Sequence, residues 1–192
     1  KHIEIIEVEQ NDLSQISTLS TPQQVLCIAR VPNTDFCIEN IKDELTLALD
    51  SVQDPGNMGT IIRLANWFGI KTILCSHSTV DAFNPKVVQA SMGGICRVQI
   101  VYDNLSAIIA QIKEDNQIPV YGTFLEGENV YETKLTNNGI VVLGNEGNGI
   151  SQELEQLITR KISIPSFSRN NVVESLNVSI AAAILCSEFR RR

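Results

Sequence analysis

From Leu45 onward the chain alternates short apolar runs with segments of helical period, and this alternation restricts the possible folds more than any other feature. Leu45-Thr46-Leu47-Ala48-Leu49 opens the series. Further strands are predicted at 72–75, 98–101, 119–123, 140–143 and 161–164. Helices are predicted near 57–68, 84–91, 104–115, 151–158 and 175–190. Apolar strands that lack a polar face are buried on both sides, as in a parallel sheet whose crossovers are helices. The expected class is therefore α/β, a mostly parallel sheet flanked by helices. In such sheets ligands bind beyond the carboxyl ends of the strands, so the chemistry is sought in the loops that follow them.

The segment before Leu45 reads differently. Ile3–Val8 and Val25–Ala29 look like two short strands around a polar helical stretch. About 30 residues are too few for a separate core. Residues 1–31 are therefore expected to be the tail of a domain, followed by a linker over 32–42 that opens with Pro32-Asn33-Thr34-Asp35. Residues 43–192 would form the main domain.

Composition narrows the functional classes. Of 192 residues, 43% are hydrophobic and 19% charged, which is ordinary for a globular protein. No apolar run approaches the roughly 18 residues of a membrane helix. The five cysteines, Cys27, Cys37, Cys75, Cys96 and Cys186, are odd in number and show no C-x-x-C spacing. Buried thiols in a reducing, cytoplasmic setting are expected. His2 and His77 have no neighbours in ligand spacing, so no metal site is expected. The net charge of −7 counts against a nucleic-acid binder. Local basic clusters at Arg160-Lys161 and Arg190-Arg191-Arg192 could serve RNA on an acidic protein, but either taken singly reads first as solvated surface charge.

Three loops are unusual. The first is Asp54-Pro55-Gly56-Asn57-Met58-Gly59-Thr60, in which Asn57 reads as a helix N-cap. Gly59 and Arg63 share a helix face, and a glycine there admits a close neighbour, backbone or ligand. Taken alone, this loop is equally a capped helix with a surface arginine. The second is Gly144-Asn145-Glu146-Gly147-Asn148-Gly149, straight after an apolar strand, with Ser151 capping the next helix. No Lys-Ser/Thr follows, so it is not a P-loop. The third runs from Ile164-Pro165 to Ser175-Leu176-Asn177-Val178-Ser179, where Ser175 reads as the N-cap of an apolar helix rich in small residues.

Together and in this order, the three loops closely resemble the SpoU/TrmH family of RNA 2′-O-methyltransferases. The family motif N-x-G-x-x-x-R is matched by Asn57, Gly59 and Arg63. The motif G-x-E-G-x-G is matched by Gly144, Glu146, Gly147 and Gly149. The motif I-P followed by S-L-N-V-S is matched by Ile164-Pro165 and Ser175–Ser179. The resemblance spans roughly residues 43–190. It implies a sheet with a C-terminal trefoil knot, an exception to unknotted topology. It implies S-adenosylmethionine as cofactor, RNA as substrate and a homodimer with the site near the subunit interface. Residues 1–31 would then be the end of a substrate-binding domain similar to ribosomal protein L30e. Such extensions favour ribosomal over transfer RNA.

The resemblance also implies roles. Asn57, Arg63, Glu146, Ser175 and Asn177 would form the catalytic set. Thr123, Phe124, Leu125, Gly144, Asn145, Gly147, Ile164, Pro165 and Leu176 would hold the cofactor. Arg63 and Arg169 would contact RNA, with no metal involved. One departure stands out: Ser166–Val173 is longer than usual for the family and lacks glycine.

Other classes fit less well. A nicotinamide oxidoreductase needs a glycine fingerprint after the first strand and an acid ending the second, where Ser76-His77 stands instead. A silent RNA-binding relative would be expected to lose motif residues, and none is lost. A base-modifying relative is disfavoured by the pairing of Asn57 and Arg63 with Ser175 and Asn177.

Overall fold

A computed structural model of the chain describes residues 3–17, 21–31, 36–114, 118–168 and 175–191. The contacts divide the chain into two units, Lys1–Asn33 and Thr34–Arg192. In the first, the predicted strands are absent. Among its described residues the one element is α1 (Gln10–Ile16), closed at Glu9 by a capping box with Asp12. The flanking aliphatic residues lie open, Ile28 at 92% exposure. A strand needs a partner for its backbone groups, and no described residue supplies one.

The second unit holds the predicted α/β sheet. Its strands are β1 (Leu45–Leu49), β2 (Thr72–Cys75), β3 (Gln99–Tyr102), β4 (Val120–Asn129), β5 (Gly139–Leu143) and β6 (Arg160–Ser163), in spatial order β3-β2-β1-β5-β4-β6. Every ladder between them is parallel. The two-residue period of the strands sorts their side chains into two cores. Leu45, Leu47 and Leu49 of β1, Ile73 of β2 and Val141 and Leu143 of β5 face one way. Ala48, Leu74, Ile140 and Val142 face the other.

Helices cover both faces. The first face carries α2 (Pro55–Trp67), with Met58, Ile61, Ile62 and Ala65 inward, α3 (Pro85–Ala90) and α6 (Val178–Arg190). The second carries α4 (Leu105–Glu114), whose Leu105, Ile108, Ile109 and Ile112 form an apolar stripe, and α5 (Gln152–Glu155). Strand β1 therefore feeds a helix on one face, and its neighbour β5 feeds one on the other. That divergence opens a crevice at their carboxyl ends.

Helices α2 and α6 lie side by side in the same direction. Asn57 and Asn177 meet at their amino ends, with the Asn177 amide donating to Asn57 Oδ1 at 2.9 Å. At the other end, Arg190 donates to the Phe68 and Gly69 carbonyls at 2.9 and 3.2 Å. Those carbonyls close α2, where a cation is favoured. Below them Tyr121 and Phe189 pack edge to face, 4.9 Å between centroids.

Several expectations are corrected. Cys75 and Cys186 are buried, but Cys27, Cys37 and Cys96 are exposed, because apolar neighbours in sequence do not guarantee burial. The basic clusters are largely neutralised. Arg160 pairs with Glu128 and donates to the Lys134 carbonyl, Lys161 pairs with Glu155, and Arg191 pairs with Glu188. No helix of the described residues is long and apolar enough to cross a membrane. Among them, no group of three or more His, Cys, Asp or Glu is placed to hold a metal ion.

Two predictions follow from this packing. A Cβ on Gly59 would lie 2.4 Å from Ala90 Cβ and 2.7 Å from the Val87 carbonyl oxygen. Gly59→Ala should therefore cost about 1–3 kcal/mol through overpacking, despite the better helix propensity of alanine. Urea unfolding checks this, and a neutral result would place α3 further from α2. Burial pushes the Cys75 thiol up beyond its ordinary range and the Cys186 thiol up to about 12. Both stay protonated and inert. Native alkylation followed by mass spectrometry should label Cys27, Cys37 and Cys96, with Cys75 and Cys186 labelled only after denaturation.

Candidate active site

The first loop begins with a cap, though not the predicted one. Asp54 is the N-cap of α2, its Oδ1 accepting the Asn57 backbone N–H at 2.7 Å, and Pro55 opens the helix. Asn57 is therefore inside the first turn with its side chain free for other contacts. Its Nδ2 donates to Glu146 Oε1 at 2.9 Å, and its Oδ1 accepts from Asn177 Nδ2 at 2.9 Å.

Asn177, rather than Ser175, caps α6. Its Oδ1 accepts from the Ser179 N–H at 2.9 Å, the Ser179 hydroxyl at 2.7 Å and the Ile180 N–H at 3.3 Å. These bonds fix the orientation of both amides. The cap needs the Asn177 oxygen, which turns its nitrogen to Asn57. Asn57 must then present oxygen to Asn177 and nitrogen to Glu146. A polar chain Glu146–Asn57–Asn177 thus joins the three motif loops, which are 89 and 120 residues apart in sequence at the two contacts.

The glycine loop is held by its own backbone. Asn145 and Gly149 exchange two backbone hydrogen bonds of 2.9 Å, and Asn145 Oδ1 accepts from the Gly147 and Asn148 N–H groups. A Cβ on Gly144 would lie 2.3 Å from the Gly149 carbonyl carbon, so glycine is needed there for the loop to close on itself. Ser151 occupies the N-cap of α5 without a side-chain cap bond.

A third wall comes from an irregularity in β4. Ile162 is in register with both Thr123 and Glu128, so Phe124, Leu125, Glu126 and Gly127 bulge out of the β4–β6 ladder. Gly127 permits this, since its Cβ would meet β6 backbone at 2.9 Å. Leu125 stands 73% exposed on the bulge.

Between the bulge, the glycine loop and the start of α6 lies a cavity of about 680 Å³. Thr123, Phe124, Leu125, Gly144, Asn145, Gly147, Ile164 and Leu176 line it, as do Glu146 and Ser175. Pro165, Asn57, Asn177 and Arg63 do not. Glu126, Lys161, Val178, Ala181 and Leu185 line it too, although no motif assigns them to the cofactor site. The spacing of the last three, inward on one helix face, was the available signal. The floor is apolar, with Leu143, Ile162, Ile164 and Leu185, while the glycine loop offers backbone polar groups. Lys161, the one lysine there, is paired with Glu155 and lies over the Phe124 ring at 4.7 Å. This lining suits a nucleoside better than a polyphosphate.

Arg63 stands apart. It is exposed, six residues beyond Asn57 on α2, roughly 9 Å along the helix axis and about 120° around it. Its guanidinium has no hydrogen bond or ion pair among the described residues. Arg169 lies outside the described residues.

Comparison with known proteins agrees with this geometry. The model of the SpoU rRNA methylase family matches residues 44–187. The chain is 30% identical over 189 residues to 23S rRNA (guanosine(2553)-2′-O)-methyltransferase RlmP of Bacillus subtilis, covering 98% of this chain and 73% of that protein. It superposes on a solved TrmH-family protein from Porphyromonas gingivalis with a TM-score of 0.82 and 44% identity, covering 98% of this chain and 74% of that one. The SpoU methyltransferase AviRb from Streptomyces viridochromogenes, solved in complex with AdoMet, matches with a TM-score of 0.71 and 26% identity, over 80% of this chain and 63% of its own. The chain thus spans 63–74% of the length of these three proteins. With the family model matched over most of its length and the three motif loops gathered at one cavity, this chain belongs to the SpoU rRNA methylase family.

Proposed function

We propose that this chain methylates a ribose 2′-hydroxyl of structured RNA, ribosomal rather than transfer RNA, using S-adenosylmethionine. The observation that carries this reading is the Glu146–Asn57–Asn177 chain, which ties the three motif loops together beside the cavity. The name of RlmP, with its guanosine 2′-O-methylation of 23S rRNA, and the AdoMet complex of AviRb support it.

The cavity fits the cofactor. Its volume of about 680 Å³ is within the usual range for such ligands, about 300–1,000 Å³. Backbone groups of Thr123–Leu125, Gly144, Asn145, Gly147, Ile164 and Leu176 would hold the adenosyl portion over the apolar floor. When bound, S-adenosylmethionine supplies a methyl group activated by its sulfonium. The protein's task is to place the ribose oxygen in line with that methyl, and positioning of this kind supplies much of an enzyme's acceleration. Arg63, free of partners among the described residues, would orient the acceptor hydroxyl through the neighbouring phosphate. A guanidinium with a pKa above about 12 makes a poor base, so its role is electrostatic. Asn57 is locked between Glu146 and Asn177 and steadies the RNA backbone. Glu146 is the fixed acidic end of that chain, and Ser175 lies at the cavity edge towards the acceptor. Arg169 adds a contact to RNA.

The rest of the architecture belongs to the same reading. Ile164 after β6 and Ser175 and Leu176 before α6 line the same cavity as the β4 bulge and the loop after β5, and α6 packs against α2; a C-terminal trefoil knot fits these neighbours. Trp67 at the end of α2 and Ile180 at the start of α6 are exposed, 81% and 52%, and a second copy in a homodimer would cover them. Residues 1–31 belong to an L30e-like substrate-binding domain, 32–42 link it, and 43–192 form the methyltransferase domain. The protein works in the cytoplasm.

The test is transfer of labelled methyl from S-adenosylmethionine to ribosomal RNA, located by resistance of one internucleotide bond to alkali. Methylation on a base, or none, contradicts the reading. Arg63→Ala should lower transfer by about 100-fold or more while leaving S-adenosylhomocysteine affinity within about threefold. Normal turnover would remove Arg63 from the mechanism. Asn57→Ala and Glu146→Ala should be less than additive in kcat when combined, because each breaks the same shared contact. Full additivity would mean the two side chains act separately.

A further inference from the structure

The glycine loop is anchored from outside by a corner that none of the three motifs includes. Asp50 and Ser51 follow β1 directly, beside β5. Asp50 is only 5% exposed. Its backbone N–H donates to the Leu143 carbonyl at 2.9 Å, at the point where the glycine loop departs. Its Oδ2 accepts the Ser151 N–H at 2.7 Å, where the loop ends, and its Oδ1 accepts from the Ser51 hydroxyl at 3.2 Å.

Ser51 adds a second, independent observation. Its φ is +60°, a left-handed conformation that is uncommon for a non-glycine residue. Such a conformation persists when its surroundings over-determine it, and it clusters at functional sites. Here the surroundings do so. The Ser51 N–H donates to Ser76 Oγ at 2.9 Å, its hydroxyl lies 2.6 Å from Ser78 Oγ, and its carbonyl accepts from Asn145 Nδ2 at 2.8 Å. Asn145 is the residue whose side chain organises the loop interior.

The loop is thus clamped near both ends, by Asn145 to Ser51 and by Ser151 to Asp50. Between the clamps lies Glu146, which must reach Asn57, and the backbone that walls the cavity. We propose that the Asp50–Ser51 corner sets the conformation of the Gly144–Gly149 loop for cofactor binding, with Asp50 as its positioning residue. This rests on the reading of the cavity as the cofactor site. With the Asp50 side chain removed, the Ser151 N–H loses its protein acceptor and one end of the loop is released.

The experiment compares Asp50→Ala and Asp50→Asn with the unaltered chain, measuring S-adenosylhomocysteine affinity and amide hydrogen exchange across 144–151. Asp50→Ala should weaken binding about tenfold or more and speed exchange at Ser151 by a similar factor. Asp50→Asn still offers an oxygen to Ser151 and should stay within about threefold of the unaltered chain. A purely structural role would lower the stability of Asp50→Ala throughout, with no selective change in exchange across 144–151. Should Asp50→Ala fail to fold, Asp50→Ser keeps a polar group too short to reach Ser151 and should show the same two changes. Unchanged affinity and unchanged loop exchange in Asp50→Ala or Asp50→Ser overturn the proposal. If the unaltered chain itself does not bind S-adenosylhomocysteine, the cofactor reading falls and takes the binding half of the proposal with it. The exchange data still decide whether Asp50 holds the loop.

Discussion

The side-chain amide of Asn57 is hydrogen-bonded at both ends, and the candidate site depends on that double engagement. One end binds Glu146 in the loop after β5, and the other binds Asn177 at the head of α6. Neither partner is near in sequence. The contact is possible because every ladder in the sheet is parallel, which places the loops after the strands along one edge. It is also possible because β1 and β5 are neighbours whose helices leave on opposite faces. The polar chain is directional, since the capping bonds of Asn177 leave each amide one orientation.

Close backbone approach is the second constraint. Gly59 lets α3 sit against α2, Gly144 lets the loop fold on itself, and Gly127 lets the β4 bulge lie on β6. These glycines serve packing within the protein. The surface they leave is a cavity with an apolar floor and a rim of backbone groups. Such a surface recognises an adenosyl group by shape and a few hydrogen bonds rather than by charge.

Much of this was legible in the sequence, for physical reasons that also explain the errors. Strands such as Leu45–Leu49 have no polar face, and that pattern has few structural meanings. Cap positions were less legible. Asp54, Asn57, Ser175 and Asn177 are all good cap residues, and Pro55 was the one clue that favoured Asp54 over Asn57. The bulge at Phe124–Gly127 left no local trace, because it arises from the pairing of β4 with β6. Arg160 reads in sequence as solvated charge or a basic patch, because its partner Glu128 lies 32 residues earlier. Arg63 lies six residues beyond Asn57 on α2, and among the described residues no hydrogen bond joins it to the Glu146–Asn57–Asn177 chain. In the first unit, the aliphatic runs were read as strands without regard to whether a pairing edge exists.

A crystal structure of the chain with S-adenosylhomocysteine would test the central claim most directly. The ligand should lie in the cavity between the β4 bulge and the Gly144–Gly149 loop. Its adenosyl group should contact Ile164 and Leu176, and Glu146, Asn57 and Asn177 should remain bonded beside it. An empty cavity at saturating ligand, or ligand bound elsewhere with those three residues apart, would contradict the account.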